Sequence, residues 1–120
     1  MKCSIMKLLI IDDNSNMRAM IRKILENEFD TIYELSDGDQ ALAIYQDVRP
    51  DWVTMDIKME YMDGITATGT IVKQFPDARI IITTQYPFEE FREAAKKAGA
   101  CGYVLKDHLS EIKKLIREQL

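Results

Sequence analysis

Five polar side chains in this 120-residue chain come directly after short apolar runs. They are the adjacent carboxylates Asp12 and Asp13, a third carboxylate at Asp56, the hydroxyl of Thr84 and the ammonium of Lys106. Carboxylates crowded within a few ångströms repel one another by about 4 kcal/mol per pair at an effective dielectric constant of about 20, so they require a proton or a cation. A hard divalent ion such as Mg²⁺, held by carboxylates and water, meets this requirement.

These five side chains together suit the transfer of a phosphoryl group to a carboxylate. The cations would neutralise the phosphoryl oxygens, and the hydroxyl would donate to them. We expect Asp56 to be the nucleophile, because it stands alone after its strand, whereas the adjacent Asp12 and Asp13 are better placed to hold a metal. Taken singly, each residue has an ordinary role as a helix cap, a turn, a strand end or a solvated lysine. A purely structural interpretation therefore needs five coincidences.

The apolar pattern switches between strand and helix five times along the chain. Continuous apolar runs are typical of strands buried on both faces, and apolar residues three or four positions apart are typical of helices packed on a sheet. The predicted strands cover 7–11, 31–35, 52–55, 79–84 and 101–105, and the predicted helices cover 17–25, 41–48, 65–75, 88–98 and 109–116.

Single residues mark the ends of these elements. Asn14 or Ser15 can cap the first helix, and Pro50 ends the second. Gly99 is placed to end the fourth helix in a left-handed conformation. Gly69 lies inside the third predicted helix, where a glycine costs about 1 kcal/mol relative to alanine. We therefore expect Gly69 to mark a close backbone contact.

The alternation predicts an α/β fold with one parallel sheet and helices on both faces, since right-handed crossovers permit little else. We expect residues 1–120 to form a single domain. In open α/β sheets, ligands bind outside the carboxyl ends of the strands. The five polar side chains should therefore meet at one edge of the sheet.

Composition and charge exclude several classes of protein. The 16 basic and 20 acidic residues give a net charge of −4 and a pI near 5.0, which argues against nucleic acid as a direct partner. The chain lacks a signal-peptide pattern and any run near the roughly 18 apolar residues of a membrane span, so we expect a cytoplasmic location. Cys3 and Cys101 stand 98 positions apart, and we expect two free thiols. The length argues against a two-domain enzyme or a regulator with its own DNA-binding domain.

The ordered motifs resemble the receiver domain of bacterial two-component response regulators, of the CheY-like type, from about residue 6 to residue 120. Each motif is short, but five of them in the right order and spacing form a specific pattern. The resemblance implies a flavodoxin-like (βα)5 fold, with a doubly wound five-stranded parallel sheet in the strand order 2-1-3-4-5. The five matching segments are 12–13, 55–59, 62–64, 83–84 and 98–106.

The resemblance also implies a chemical role for most of the polar residues. Asp56 would accept a phosphoryl group from a phosphohistidine of a partner kinase. Asp13 and Asp56 would bind Mg²⁺ directly, Asp12 would act mostly through water, and the backbone carbonyl of Lys58 would complete the protein ligands. The protein would not be an enzyme in the usual sense, since it promotes its own phosphorylation and autodephosphorylation.

Two further residues would carry the conformational switch of such a domain. Either Thr83 or Thr84 could supply the switch hydroxyl, and counting back from Gly99 and Lys106 selects Thr84. Tyr103 would be the aromatic switch that turns inward when the hydroxyl moves.

The resemblance implies protein partners and no direct contact with nucleic acid or membrane. They are a sensor histidine kinase or phosphotransfer protein and a downstream protein target. The face made by the fourth helix, fifth strand and fifth helix would bind that target or form a homodimer on phosphorylation.

Rival functions fit the chain less well. A flavin-binding protein would want a Ser/Thr/Gly-rich loop where Asp12 and Asp13 stand, and no GxxxxGK[ST] of a P-loop NTPase is present. A metal-dependent phosphatase would want a carboxylate where Lys58 stands. The serious alternative is a receiver-like interaction module that works without phosphorylation. Gln85 slightly favours it, and the complete acidic triad argues against it.

Three positions depart from the usual receiver pattern: Glu60, Gln85 and Asp107. The family often has proline at the first and third of these positions and a small residue at the second. Asp107 resembles the branch whose relatives carry helix-turn-helix domains. We also expect Lys58 and Tyr86 to crowd the line along which water would attack a phosphorylated Asp56, which predicts a long-lived phosphorylated state.

Overall fold

Five parallel strands form one sheet in the order β2-β1-β3-β4-β5, in a computed structural model that describes residues 6–119. This is the predicted flavodoxin-like α/β fold, and the predicted strand order is confirmed. The strands are β1 Lys7–Ile11, β2 Thr31–Leu35, β3 Trp52–Asp56, β4 Ile80–Thr84 and β5 Gly102–Leu105. The helices are α1 Ser15–Leu25, α2 Ala41–Val48, α3 Gly64–Gln74, α4 Glu89–Ala98 and α5 Ser110–Glu118, and short 3₁₀ helices cover Gly38–Gln40 and Lys106–His108.

The sheet separates two apolar clusters, because successive residues of a strand point to opposite faces. On one face, Leu8 and Ile10 of β1 pack with residues of α1 and α5. On the other face, Leu9 and Ile11 pack with residues of α2, α3 and α4. Every residue of β3 and β4 is buried. The carboxyl ends of these strands are therefore held by a core that is closed on both sides.

The ends of the helices follow local rules that the sequence already indicated. The Asn14 side chain caps α1 by accepting from the Met17 N–H at 3.0 Å. Gly99 ends α4 with a φ of 106°, and an added Cβ there would lie 2.7 Å from Val72. Arg49, which precedes Pro50, ends α2 in the left-handed region with a φ of 50°. The proline thus stops the helix as expected, but through a left-handed residue rather than an extended one.

Two further sequence expectations concern the thiols and membrane spans. Cys101 is an exposed free thiol, and Cys3 lies outside the described residues. Within 6–119, no helix has both the length and the apolar character that crossing a membrane requires.

The expectation of close packing at Gly69 is wrong. An added Cβ would lie 3.8 Å from the Cβ of Ala98 in α4, which is an ordinary van der Waals distance. The tightly packed glycine of α3 is instead Gly64 at its start, where an added Cβ would overlap the backbone carbonyl of Asp56. The end of β3 can approach α3 this closely only because residue 64 has no side chain.

We therefore predict that Gly69→Ala stabilises the protein by about 0.5–1 kcal/mol, because alanine removes the helix cost of glycine without a clash. Urea unfolding monitored by circular dichroism measures the change. Gly64→Ala is the matched control and should be strongly destabilising. A loss of stability in Gly69→Ala would contradict the spacing between α3 and α4.

Candidate functional site

The three carboxylates predicted to converge lie together at the carboxyl edge of the sheet. Asp12 and Asp13 follow β1, and Asp56 is the last residue of the neighbouring strand β3. Each offers a carboxylate oxygen within 4.8 Å of the others. Asp12 and Asp56 are buried, whereas Asp13 is exposed. The side chains thus form a compact group of hard oxygen donors.

The Lys106 ammonium reaches this group from the end of β5. Its Nζ lies 2.9 Å from Asp12 Oδ2 and 3.1 Å from Asp56 Oδ1. The lysine side chain is 16% exposed, so it is not the solvated surface lysine that a purely structural interpretation predicts. One ammonium among three carboxylates leaves an excess of negative charge at this edge of the sheet.

Asp12 is fixed at each of its polar backbone and side-chain groups. Its Oδ1 accepts from the Asn14 N–H at 2.9 Å, and its Oδ2 contacts Lys106. Its own N–H donates to the Leu35 carbonyl at 3.0 Å, and its carbonyl accepts from Arg18 Nη1 at 2.6 Å. Both carboxylate oxygens of Asp12 are therefore already engaged.

Burial and charge shift the pKa values of two groups at the site in ways that follow from this geometry. Burial, followed by the nearby Asp12 carboxylate, raises the pKa of Asp56 to about 6, although Lys106 acts in the opposite direction. For Lys106, burial alone would lower the pKa, but Asp12 and Asp56 raise it above the usual value. A single lysine therefore does not fully offset the burial of Asp56 and the repulsion between the carboxylates.

A polar cleft of about 210 Å³ opens beside Asp56. Lys58, two residues after Asp56, lies on its wall with its Nζ 5.8 Å from the Tyr86 ring centroid and 5.6 Å from that of Phe91. Gln85 also lines the cleft and is exposed. The full lining is Asp13, Asn14, Asp56, Lys58, Gln85, Tyr86 and Lys106.

The two threonines at the end of β4 occupy opposite faces of the sheet. Thr83 stands in register with Asp56, and its buried hydroxyl has no hydrogen-bond partner among residues 6–119. Thr84 is fully buried on the face of Tyr103, and its hydroxyl accepts from the Tyr86 N–H at 3.1 Å. The Tyr103 hydroxyl donates to the Tyr86 carbonyl at 2.6 Å. Tyr86 therefore connects the Thr84 and Tyr103 side chains.

Comparison with known proteins accounts for this arrangement. The family model of the response regulator receiver domain matches residues 8–117. The chain belongs to this family. Its members are the receiver domains of two-component systems, so the predicted resemblance is confirmed.

Two relatives and one solved structure illustrate the similarity of this receiver domain to others. The chemotaxis protein CheY of Halobacterium salinarum is 42% identical over 100 residues, which cover 83% of each chain. The uncharacterized transcriptional regulatory protein YhcZ of Bacillus subtilis is 38% identical over 85% of this chain, which spans only 49% of that protein. The response regulator TrrA of Thermotoga maritima, solved in complex with Mg²⁺ and BeF, is 30% identical with a TM-score of 0.84, and the match covers 96% of this chain and 99% of that one.

Two further residues support this site in the receiver domain, and the sequence had indicated no role for either of them. Arg18 of α1, held by Glu34 at 3.0 Å, bonds the Asp12 carbonyl, and nothing in the local sequence indicates that contact. Asp37, which follows β2, accepts backbone N–H groups of the loop between β3 and α3. Its position before Gly38 is typical of a turn, but the partner loop is not predictable from that turn.

The raised pKa of Asp56 predicts a pH-dependent stability of the metal-free domain. Between about pH 4 and about pH 6 the unfolded chain has released this proton while the folded protein still binds it, so the contribution of Asp56 to the stability of the wild type falls as pH rises. Asp56→Asn cannot ionise, and its free energy of unfolding should exceed that of wild type by about 2 kcal/mol at about pH 8 and by little at about pH 4. Denaturant unfolding in EDTA measures the free energy of unfolding of both proteins at each pH. Asp77→Asn, which removes an exposed carboxylate elsewhere, should show no such gain, and a gain independent of pH would contradict the prediction.

Proposed function

We propose that Asp56 accepts a phosphoryl group from the phosphohistidine of a sensor histidine kinase or a phosphotransfer protein. Asp56 Oδ2 attacks the phosphorus atom and forms the acyl phosphate bond. The phosphorus–nitrogen bond breaks, and its electron pair stays on the imidazole nitrogen, which takes up a proton. The domain would promote this transfer and the later hydrolysis without acting as an enzyme on another substrate.

The observation that carries this proposal is the environment of the Asp56 carboxylate. Its Oδ1 accepts from the Ile57 N–H at 2.9 Å and lies 3.1 Å from Lys106 Nζ. Both contacts are made to the same oxygen, so Oδ2 is the oxygen suited to attack. The ammonium of Lys106 stands where it can offset negative charge on a phosphoryl group.

The acidic cluster fits Mg²⁺, which prefers oxygen ligands. Asp13, Asp56 and the Lys58 carbonyl would hold the ion directly. Asp12 would act through water, because Asn14 and Lys106 already engage its two oxygens. Bound Mg²⁺ supplies positive charge that offsets the charge of the phosphoryl oxygens. The Mg²⁺ in the TrrA complex, a receiver relative, supports this choice of metal.

We also propose that Thr84 and Tyr103 transmit phosphorylation to the surface. The Thr84 hydroxyl would leave the Tyr86 N–H and donate to a phosphoryl oxygen. Because Tyr103 donates to the carbonyl of the same Tyr86, a movement of this residue would alter the face formed by α4, β5 and α5. A downstream protein target, or a second copy in a homodimer, would bind that face. Phe88, which is 52% exposed at the start of α4, is a candidate contact.

The first test is phosphorylation by a small donor. Incubation with acetyl phosphate and Mg²⁺ should add the mass of one phosphoryl group to the wild type and none to Asp56→Asn, as measured by intact mass spectrometry. EDTA should abolish the adduct. An absent adduct on the wild type would instead favour the phosphorylation-independent interaction module.

The position of Lys58 and Tyr86 makes a second test possible. Lys58 lies within cation–π distance of Tyr86, and both residues line the cleft beside Asp56. Replacing both with alanine should open the approach of water and shorten the lifetime of the phosphorylated protein several-fold. Phe88→Ala, in the same aromatic group but outside the cleft lining, is the control. An unchanged rate of phosphate release in the double variant would contradict the expectation.

A further inference from the structure

A fourth carboxylate, that of Asp37, lies at the carboxyl edge of the sheet and has different partners from the other three. Asp37 follows β2, and its Oδ1 accepts from the N–H groups of Asp39 at 3.1 Å and Met62 at 3.0 Å. Its Oδ2 accepts from the Tyr61 N–H at 2.9 Å. Both oxygens are therefore committed to backbone donors, and the ligand oxygens that cluster within 4.8 Å belong to Asp12, Asp13 and Asp56.

These backbone donors favour the ionised form of Asp37. Burial alone would raise the pKa of this carboxyl, but the N–H groups of Tyr61, Asp39, Met62 and Glu60 lower it overall. Hydrogen bonds to an ionised acceptor are stronger than those between neutral groups. Asp37 is thus a firm attachment for the chain segment that supplies the donors.

That segment is the loop of residues 57–63, which joins β3 to α3 and carries Lys58. At its two ends the loop is held locally, by the Ile57 N–H bonded to Asp56 Oδ1 at 2.9 Å and by the Gly64 N–H bonded to the Ile57 carbonyl at 2.8 Å. In its middle, the bonds from Tyr61 and Met62 go to Asp37. Asp37 therefore anchors the middle of the loop, whereas the bonds of Ile57 and Gly64 hold only its two ends.

The hydrogen bonds between Asp37 and the loop run from the end of β2 toward the end of β3, and the acidic cluster lies at the end of the strand between them. In the sheet, β1 lies between β2 and β3, so a contact from the end of β2 to the loop after β3 passes the end of β1, where Asp12 and Asp13 stand. Gly38 permits the close approach, because an added Cβ there would lie 2.8 Å from the Met62 carbonyl oxygen. The loop that this contact holds also carries Lys58, which lines the cleft together with Asp13 and Asp56.

We infer that Asp37 is a positioning residue for the metal site, which it serves by holding loop 57–63 at a fixed distance from Asp12 and Asp13. The inference rests on the proposed function, because it takes the Lys58 carbonyl in that loop as a ligand. Partners outside the first ligand sphere commonly change metal affinity by about 10–100-fold when they are lost.

Calorimetric titration of the phosphate-free protein with Mg²⁺ tests this inference. Asp37→Ala should weaken Mg²⁺ binding about tenfold. Asp37→Asn retains one acceptor oxygen and should lie between Asp37→Ala and the wild type. Asp51→Ala is the matched control, because Asp51 also accepts a backbone N–H across the fold, from Lys7 at 2.7 Å, but at the amino edge of the sheet. The control should lower stability without changing the Mg²⁺ affinity.

Amide hydrogen exchange in EDTA gives a readout that is independent of the metal. The Tyr61 and Met62 amides should lose protection in Asp37→Ala and keep it in Asp51→Ala. Wild-type affinity in Asp37→Ala, or unchanged protection of these two amides, would overturn the inference and leave the proposed function intact. A wild type that binds no Mg²⁺ would overturn the proposed function and the role of Asp37 together.

Discussion

The contact of the Lys106 ammonium with two buried carboxylates is the interaction on which the site depends. At 2.9 Å from Asp12 and 3.1 Å from Asp56, it joins the ends of β1, β3 and β5 at one point. Without a cation there, the carboxylates would repel one another in a region of low dielectric constant. A single lysine still leaves the three carboxylates in excess. That remaining negative charge is the basis of the proposed Mg²⁺ site.

Burial and hydrogen bonding, rather than residue type, distinguish the four carboxylates. Asp12 is fully buried, and both its oxygens are engaged by Asn14 and Lys106. Asp56 has one oxygen committed to Ile57 and Lys106, and Asp13 is exposed. Asp37 is committed entirely to backbone donors. Four chemically identical groups thus range from fully engaged to exposed, because the sheet places each in a different environment.

Movement at this site is restricted to the loops, because β3 and β4 are buried along their full length. Tyr86 is the point at which several loop contacts meet. Its N–H bonds the Thr84 hydroxyl, its carbonyl bonds the Tyr103 hydroxyl, and its ring lies 5.8 Å from Lys58 Nζ. One residue therefore connects the end of β4 with β5 and with the cleft wall.

The sequence by itself determined the order of strands and helices, because apolar periodicity and turn residues act over a few neighbouring positions. The convergence of Asp12, Asp13, Asp56 and Lys106 followed from that order, because parallel strands bring their carboxyl ends to one edge of the sheet. The resemblance to receiver domains supplied the strand order, which periodicity does not encode. Only the tertiary structure decided that Gly69 has room for a side chain while Gly64 does not. It likewise decided that Asp37 accepts from the Met62 N–H, 25 positions away in the chain. It also decided which carboxylate oxygens have no hydrogen-bond donor beside them. These features depend on distances between segments that are remote in the chain, and local propensity carries no information about them.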